Sequence, residues 1–259
     1  MSAHSRAHSH SRARSFDTAA TRYAASRPGY PPALFGSVEE FTGRPLAGAR
    51  VADVGAGTGI ASALLRARGA EVVGVEPGEA MAAAFRRALP EVPVVRGDGN
   101  ALPLAGASVD LVTYAQSWQW TDPGRSVPEA LRVLRAGGAL AIWWNTTAFD
   151  VPWIREQHER AARHCGVEPR SPVRPSDSEA VRLAGLTGLR AARRQLRWSR
   201  TVPLDTHLAN LGTRSAFLIL EEPARHAFFV AERARLGALF PGGEVEETYV
   251  ADLLMALRP

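Results

Sequence analysis

The residues best placed by type and spacing to do chemistry lie in Val51-Ala52-Asp53-Val54-Gly55-Ala56-Gly57-Thr58-Gly59-Ile60. A buried-type run leads into the glycines and an Ala/Leu/Arg segment of helical length follows, so the pattern predicts strand, tight turn and helix. Glycine lets the main chain turn sharply and lets a ligand approach it closely, with the first helix amides aimed at that ligand. The dinucleotide fingerprint needs glycines at relative positions 1, 3 and 6. Gly55 and Gly57 fill the first two, but Ile60 stands at the third and Gly59 comes one residue early. A carboxylate about 20 residues on, at the end of the next strand, suits the two hydroxyls of a ribose. Glu76 closes Val72-Val73-Gly74-Val75-Glu76-Pro77 at that distance. A glycine turn alone serves many structural turns; the ordered series of strand, turn, helix, strand and acid points to a nucleoside site.

Alternating β-rich and helical runs must position these groups. Strands are expected at residues 50–54, 71–75, near 92–95, 109–115 and 139–144, with helices at 59–68, 78–88 and 124–135. Such alternation means right-handed crossovers and a parallel sheet covered on both faces, the α/β doubly wound class. Further on, helices are expected at 152–165, 177–184, 205–211 and 224–240, a strand at 189–200, and an apolar run from 245 to 257. Two terminal strands would then complete a mostly parallel seven-stranded sheet, and the helical inserts would cap its C-terminal edge. The division expected is a disordered tail over 1–15 and one domain over 16–259. Within it, residues 45–150 form a cofactor-binding core, 151–245 a substrate-side elaboration and 246–259 the terminal strand.

Composition excludes several classes. With 259 residues, 46% hydrophobic and 22% charged, the chain matches a globular protein and not a collagen-like repeat, a coiled coil or a disordered polymer. No apolar run approaches the roughly 18 residues of a membrane span, so a soluble protein with no membrane partner is expected. The formal charge is +5, but residues 1–28 carry five arginines against Asp17 alone, which leaves the body nearly neutral. Every basic residue apart from the histidines is arginine. A near-neutral body argues against a nucleic-acid partner. One cysteine, Cys165, cannot form an internal disulfide, and a reducing, cytoplasmic setting follows. His4, His8 and His10 in the polar tail read as solvated side chains and not as a metal site.

The same residues carry a family resemblance. VADVGAGTG with Glu76, then Gly97-Asp98-Gly99-Asn100-Ala101-Leu102-Pro103-Leu104 and Val109-Asp110-Leu111-Val112-Thr113, resemble the class I S-adenosylmethionine (SAM) dependent methyltransferases of the methyltransferase-11 type. The resemblance covers about residues 15 to 150. Phe16-Asp17, the segment YAASRPGYP from Tyr23, and Ala115-Gln116-Ser117-Trp118-Gln119-Trp120-Thr121-Asp122 are similar to small-molecule methyltransferases of the trans-aconitate methyltransferase kind. The resemblance implies a Rossmann-like fold with SAM as cofactor. It implies that Asp53 and the backbone of Gly55, Ala56 and Gly57 hold the amino-acid end of SAM, that Glu76 holds the ribose, and that Asp98 with the Gly99 amide meets the adenine edge. Pro77 and Met81 would pack on the adenine, and Ala115, Gln116 and Ser117 would line the methionine side. Each has a plainer alternative: Asp98 and Asn100 suit an ordinary turn, and Met81 suits the core.

On the acceptor side, Tyr23, Arg27 and Tyr30 would fold over the site as a lid, and Trp118 and Trp120 would cover donor and acceptor by cation–π and apolar contact. The alternatives are a surface arginine beside a proline turn and core packing of the tryptophans. Relatives commonly carry His-Trp-Phe-Asp after the fourth strand; here Ser117 opens that segment, so no histidine stands there. His158, His207 and His226 are the remaining candidate bases, with Tyr23 and Arg27 beside His158 as possible catalytic groups, and no catalytic acid or base is assigned. The expectation is methyl transfer to a small molecule, oxygen slightly preferred, by a monomer or homodimer needing no metal. Two rivals stay open: a SAM-binding cyclase or scaffold that does not methylate, and a nucleic-acid methyltransferase.

Overall fold

Strands apolar on both faces are stable only between two helical layers, and the chain supplies such strands. The computed structural model describes residues 26–169 and 175–259; the expected tail and Tyr23 lie outside them. The strands are β1 Arg50–Val54, β2 Glu71–Glu76, β3 Val94–Arg96, β4 Val109–Ala115, β5 Leu134–Thr147, β6 Ala191–Pro203 and β7 Glu244–Leu257. They form one sheet in the order β3-β2-β1-β4-β5-β7-β6. The first five run parallel, and β7 lies antiparallel between β5 and β6. The chain winds outward from β1 in one direction and from β4 in the other, so the switch point falls between their C-terminal tips.

The helices are α1 Pro32–Thr42, α2 Ile60–Ala67, α3 Glu79–Ala88, α4 Pro123–Val133, α5 Pro152–His164, α6 Asp177–Leu183, α7 Leu204–Gly212, α8 Ser215–Leu218 and α9 Glu222–Leu239, with a 3-10 turn at Trp118–Trp120. Two apolar layers flank the sheet. One joins α1 (Leu34, Phe35, Val38) and Leu65 to Trp143 and Leu253. The other joins Tyr114, Trp118, Val127 and Val133 to Ile142 and Leu254. A smaller cluster of Ala161, Leu211, Phe217 and Phe228 forms the core of the helical cap.

Two features depart from the sequence expectation. α1 has no counterpart there: its Pro32 start suits a first helical turn, but Gly36 within a short segment weakens the helical pattern. β5 is also much longer than expected, and β6 lies two to three residues further along the chain. β5 runs on through Thr147, paired with Tyr249, while β6 and β7 stay paired to Pro203 and Glu244. This extension stands past the parallel tips as a wall, with the terminal strand running from Glu244 to Leu257.

Candidate functional site

The turn after β1 is built from glycines with different tasks. Gly55 has φ +67, and a Cβ on it would lie 2.4 Å from the Ser117 Cβ. Ser117 donates its hydroxyl to the Val54 carbonyl at 2.6 Å, which fastens the tip of β4 to the tip of β1. At Gly57, with φ +57, a Cβ would meet nothing nearer than the Gly55 carbonyl oxygen at 4.0 Å. The space in front of Gly57 is therefore an open cradle against bare main chain. Beside it the buried Thr58 hydroxyl has no hydrogen-bond partner among the described residues, which marks a place where a ligand polar atom would be welcome.

Glu76 closes the cradle from the second strand. Its carboxylate accepts from the Gly57 amide at 2.8 Å and from the Gly78 amide at 2.8 Å, one per oxygen. With both oxygens accepting main-chain amides, the Glu76 carboxylate fixes the turn and sets an acidic group at the tip of β2. Asp53 lies beneath the turn, fully buried, with Ser62 donating at 2.6 Å and Thr113 at 3.1 Å. Burial pushes its carboxyl up, and the two hydroxyls work against that. In this arrangement Asp53 braces the turn from below.

The loop after β3 forms the third side. Asp98 accepts from the Asn100 amide and side chain at 2.9 and 2.8 Å, the turn geometry foreseen as the plainer alternative. Asn100 in turn accepts from the Asp122 amide at 2.7 Å and the Ser126 hydroxyl at 3.0 Å. Asp98 remains exposed at the loop's surface, and Gly99 is buried, its carbonyl taking the Tyr114 hydroxyl at 2.9 Å. Pro77 is exposed and Met81 is buried on α3.

At the end of β4, Ala115 pairs with Trp143, and Gln116 adopts φ +61. This left-handed conformation is costly for any side-chain-bearing residue, by about 1–2 kcal/mol, and such strain clusters at functional sites. Gln116→Gly is expected to hold or raise the melting temperature in scanning calorimetry, because released strain offsets the added chain entropy of glycine. A fall of several degrees would show that the glutamine side chain, and not the backbone, carries the site.

Gln116 also lines a cavity of about 420 Å³ beneath the cap, shared with Arg27, Trp120, Asn145, Trp153 and His158. That volume lies within the ordinary range for small-molecule sites. Asn145, at the end of β5, donates to the Gly29 carbonyl at 2.9 Å and accepts the Trp198 indole N–H at 3.0 Å. It ties the N-terminal segment to the wall made by β6.

A buried polar chain stiffens this wall. Glu247 of β7 accepts from His207 Nδ1 at 2.7 Å, Asn210 at 3.2 Å, the Tyr249 hydroxyl at 2.7 Å and Arg200 Nε at 2.7 Å. With its Nδ1 hydrogen given to Glu247, His207 accepts at Nε2 from the Gln157 amide, 2.9 Å away. Gln157 also donates to Glu232 at 3.1 Å, where Arg160 ends the chain at 2.7 Å. Burial pushes the Glu247 carboxyl up, but the bonds from His207 and Tyr249 and the charge of Arg200 outweigh it and hold it at about 2. Burial and the Glu247 charge push the Tyr249 phenol up, so it remains a donor. Arg200 further donates to the carbonyls of Ser26 at 2.7 Å and Arg27 at 3.3 Å.

Some expected site residues sit elsewhere. Trp118 turns inward, 4% exposed, edge-on to Tyr114 at 4.7 Å; this corrects its placement over the acceptor, because the 3-10 turn points it at the core. Tyr30 packs edge-on against the buried Trp143 at 5.7 Å and is not among the cavity's walls. His226 is exposed on α9. Arg27, Trp120, His158 and His207 do line the cavity. Sequence reasoning passed over Gln157, Asn210, Glu247 and Tyr249. One signal was present for Glu247: it falls in step with Val245, Ala251 and Leu253 on the inward face of an alternating strand.

The chain has counterparts among known proteins in sequence and in fold. Residues 52–142 match the family described as the methyltransferase domain. That segment is similar to the methyltransferase domain from β1 through most of β5. An uncharacterized methyltransferase of Mycobacterium tuberculosis is 42% identical over 149 residues, covering 58% of this chain and 59% of that protein. The chain thus aligns with about three-fifths of that relative's length. Among solved structures, a type II methyltransferase candidate from Anaeromyxobacter dehalogenans is 27% identical with a TM-score of 0.59, covering 89% of this chain and 96% of that one. A phosphoethanolamine N-methyltransferase of Haemonchus contortus, solved with S-adenosylhomocysteine, shares the fold at 15% identity and a TM-score of 0.53, covering 94% of this chain and 57% of that one. The matched segment stops at Ile142 within β5, and the cap and last two strands lie beyond it. Among the described residues no helix is long and apolar enough to cross a membrane, and no group of three or more metal-ligating side chains is found.

Proposed function

We propose that this chain transfers a methyl group from SAM to a small-molecule acceptor, with oxygen the preferred atom. The observation that carries this reading is the open Gly57 cradle closed by the Glu76 carboxylate, with Gln116 in the wall of the cap cavity next in sequence to the Ser117 that abuts Gly55. Bound SAM supplies an electrophilic methyl group on a sulfonium. The residues present fit it: Gly57 leaves room for a ligand against the main chain, Thr58 offers an unmatched hydroxyl, and Glu76 sets a carboxylate beside the cradle, the acceptor type that suits ribose hydroxyls. Pro77, Met81, Asp98 and Gly99 then border the adenine, and Ala115 and Ser117 the methionine side. Asp53 acts through the turn it supports.

The protein's share of such a reaction is alignment and exclusion of water, worth up to roughly 7–11 kcal/mol when two reactants are held in line. The cavity wall provides it, with Trp120 and Asn145 near the strand tips and the Glu247 chain keeping the cap in register. A carboxylate acceptor needs no base; a neutral hydroxyl does. His158 and Arg27 stand in the cavity wall for those two cases, taking a proton or pairing with a carboxylate. The single cysteine supports a reducing, cytoplasmic setting.

Titration calorimetry with S-adenosylhomocysteine tests the reading. The wild-type chain is expected to bind one equivalent and no NAD. Glu76→Ala is expected to lose about 1–3 kcal/mol of affinity through lost charge-assisted bonds. Unchanged affinity in that variant, or binding of NAD in place of the sulfur nucleoside, overturns it.

A further inference from the structure

We infer that the acceptor is a two-ended molecule, a polar reacting head carried on an extended apolar body. For the chemistry at the head this rests on the methyl-transfer reading above; the apolar track is a property of the cavity itself. The cavity's inner end lies at the strand tips, where it is lined by the polar residues Gln116, Asn145 and Thr147. From there α5 departs from the sheet; Ile154, Ala161 and Ala162 line the cavity from this helix, and Cys165 does so just past its end. At 1.5 Å per residue these four positions extend over about 16 Å. Buried Leu211 and Phe217 line it from the neighbouring cap helices.

The polar side chains of this wall do not contradict an apolar occupant. Gln157, His207, Asn210 and Glu247 are bonded to one another or to Glu232, Arg200 and Tyr249, so much of their bonding capacity is already used. Arg214, placed where its charge acts on Cys165 and Tyr249, and the exposed Glu168 are the charged groups along the outer part. Val167 and Ile219 line the same cavity yet are 40% and 61% exposed, which puts them at its mouth. Both are apolar side chains set towards water at the rim of the cavity. A ligand body leaving along the α5 face would cover both.

The test uses 4-n-alkylphenols from methyl to octyl, titrated calorimetrically below their micelle concentrations, with and without saturating S-adenosylhomocysteine. In the wild-type chain, affinity is expected to rise about threefold per added methylene until the alkyl chain reaches the mouth. Ala162→Leu, which narrows the track, should abolish the increments of the longer homologues. Ile219→Ser, at an exposed position where folding is not at risk, should remove only the last of them. Equal affinity across the series overturns the proposal, and so do increments that both variants leave intact, since those would arise elsewhere on the surface. The two readings fail separately. A wild-type chain that binds S-adenosylhomocysteine but shows no chain-length dependence refutes the apolar track alone. One that shows the chain-length dependence without binding the nucleoside refutes methyl transfer and leaves the track.

Discussion

Glu247→Ala is expected to lower folding stability by about 3 kcal/mol, the scale seen when one partner of a buried ion pair is removed. The carboxylate is 2% exposed and receives bonds from His207, Asn210, Tyr249 and Arg200, so its loss leaves buried donors without their acceptor. For a chain of this size the melting temperature should fall on the order of 10 °C, with calorimetry as the check. The acid dependence follows with a definite sign. The folded-state carboxyl sits at about 2, below its ordinary 4.5, so its contribution is complete above about pH 4.5 and fades as pH falls towards 2. The stability gap between wild type and Glu247→Gln in urea titrations should therefore shrink over that window. A gap that stays constant from pH 6 to pH 2.5 would show that the carboxylate's charge is not what matters there.

The second large effect is expected at Gly57. A valine there would project into the open cradle and would have to adopt φ +57, a conformation that β-branched residues avoid. Affinity for S-adenosylhomocysteine should drop at least 100-fold, while the sheet, anchored by Gly55 against Ser117, still forms. Circular dichroism separates the two outcomes: a folded variant that binds normally removes the cradle from the site, and an unfolded one points to Gly57→Ala as the milder probe, with a smaller loss expected.

How much of this was legible in the sequence depends on how local each cause is. The glycine turn, the acid at the end of β2 and the strands around them are written in adjacent residues, and the first four strands and their helices appear within a few residues of expectation. Trp118 was misjudged because the 3-10 turn that aims it at Tyr114 leaves no trace in spacing. The polar chain from Arg200 to Arg160 joins residues from two strands and three helices, and no periodicity can announce such a meeting. Glu247 is the exception, since an acid in the inward register of an apolar strand needs a partner wherever it comes from. The length of β5 was underestimated for a related reason: its continuation past Trp144 is held by pairing with β7, over one hundred residues later in the chain.

The order of the sheet leaves β3 and β6 at its two borders. Unpaired borders invite intermolecular strand addition, and proteins discourage it by keeping such strands short or arming them with charge. β3 has only three residues and ends in the exposed Arg96, while β6, much longer, displays Arg194 and Arg197 to water. Electrostatic repulsion between like-charged borders would oppose growth into a continuous ribbon at either side. Any self-association of this chain is thereby steered away from its strands and towards its helical faces.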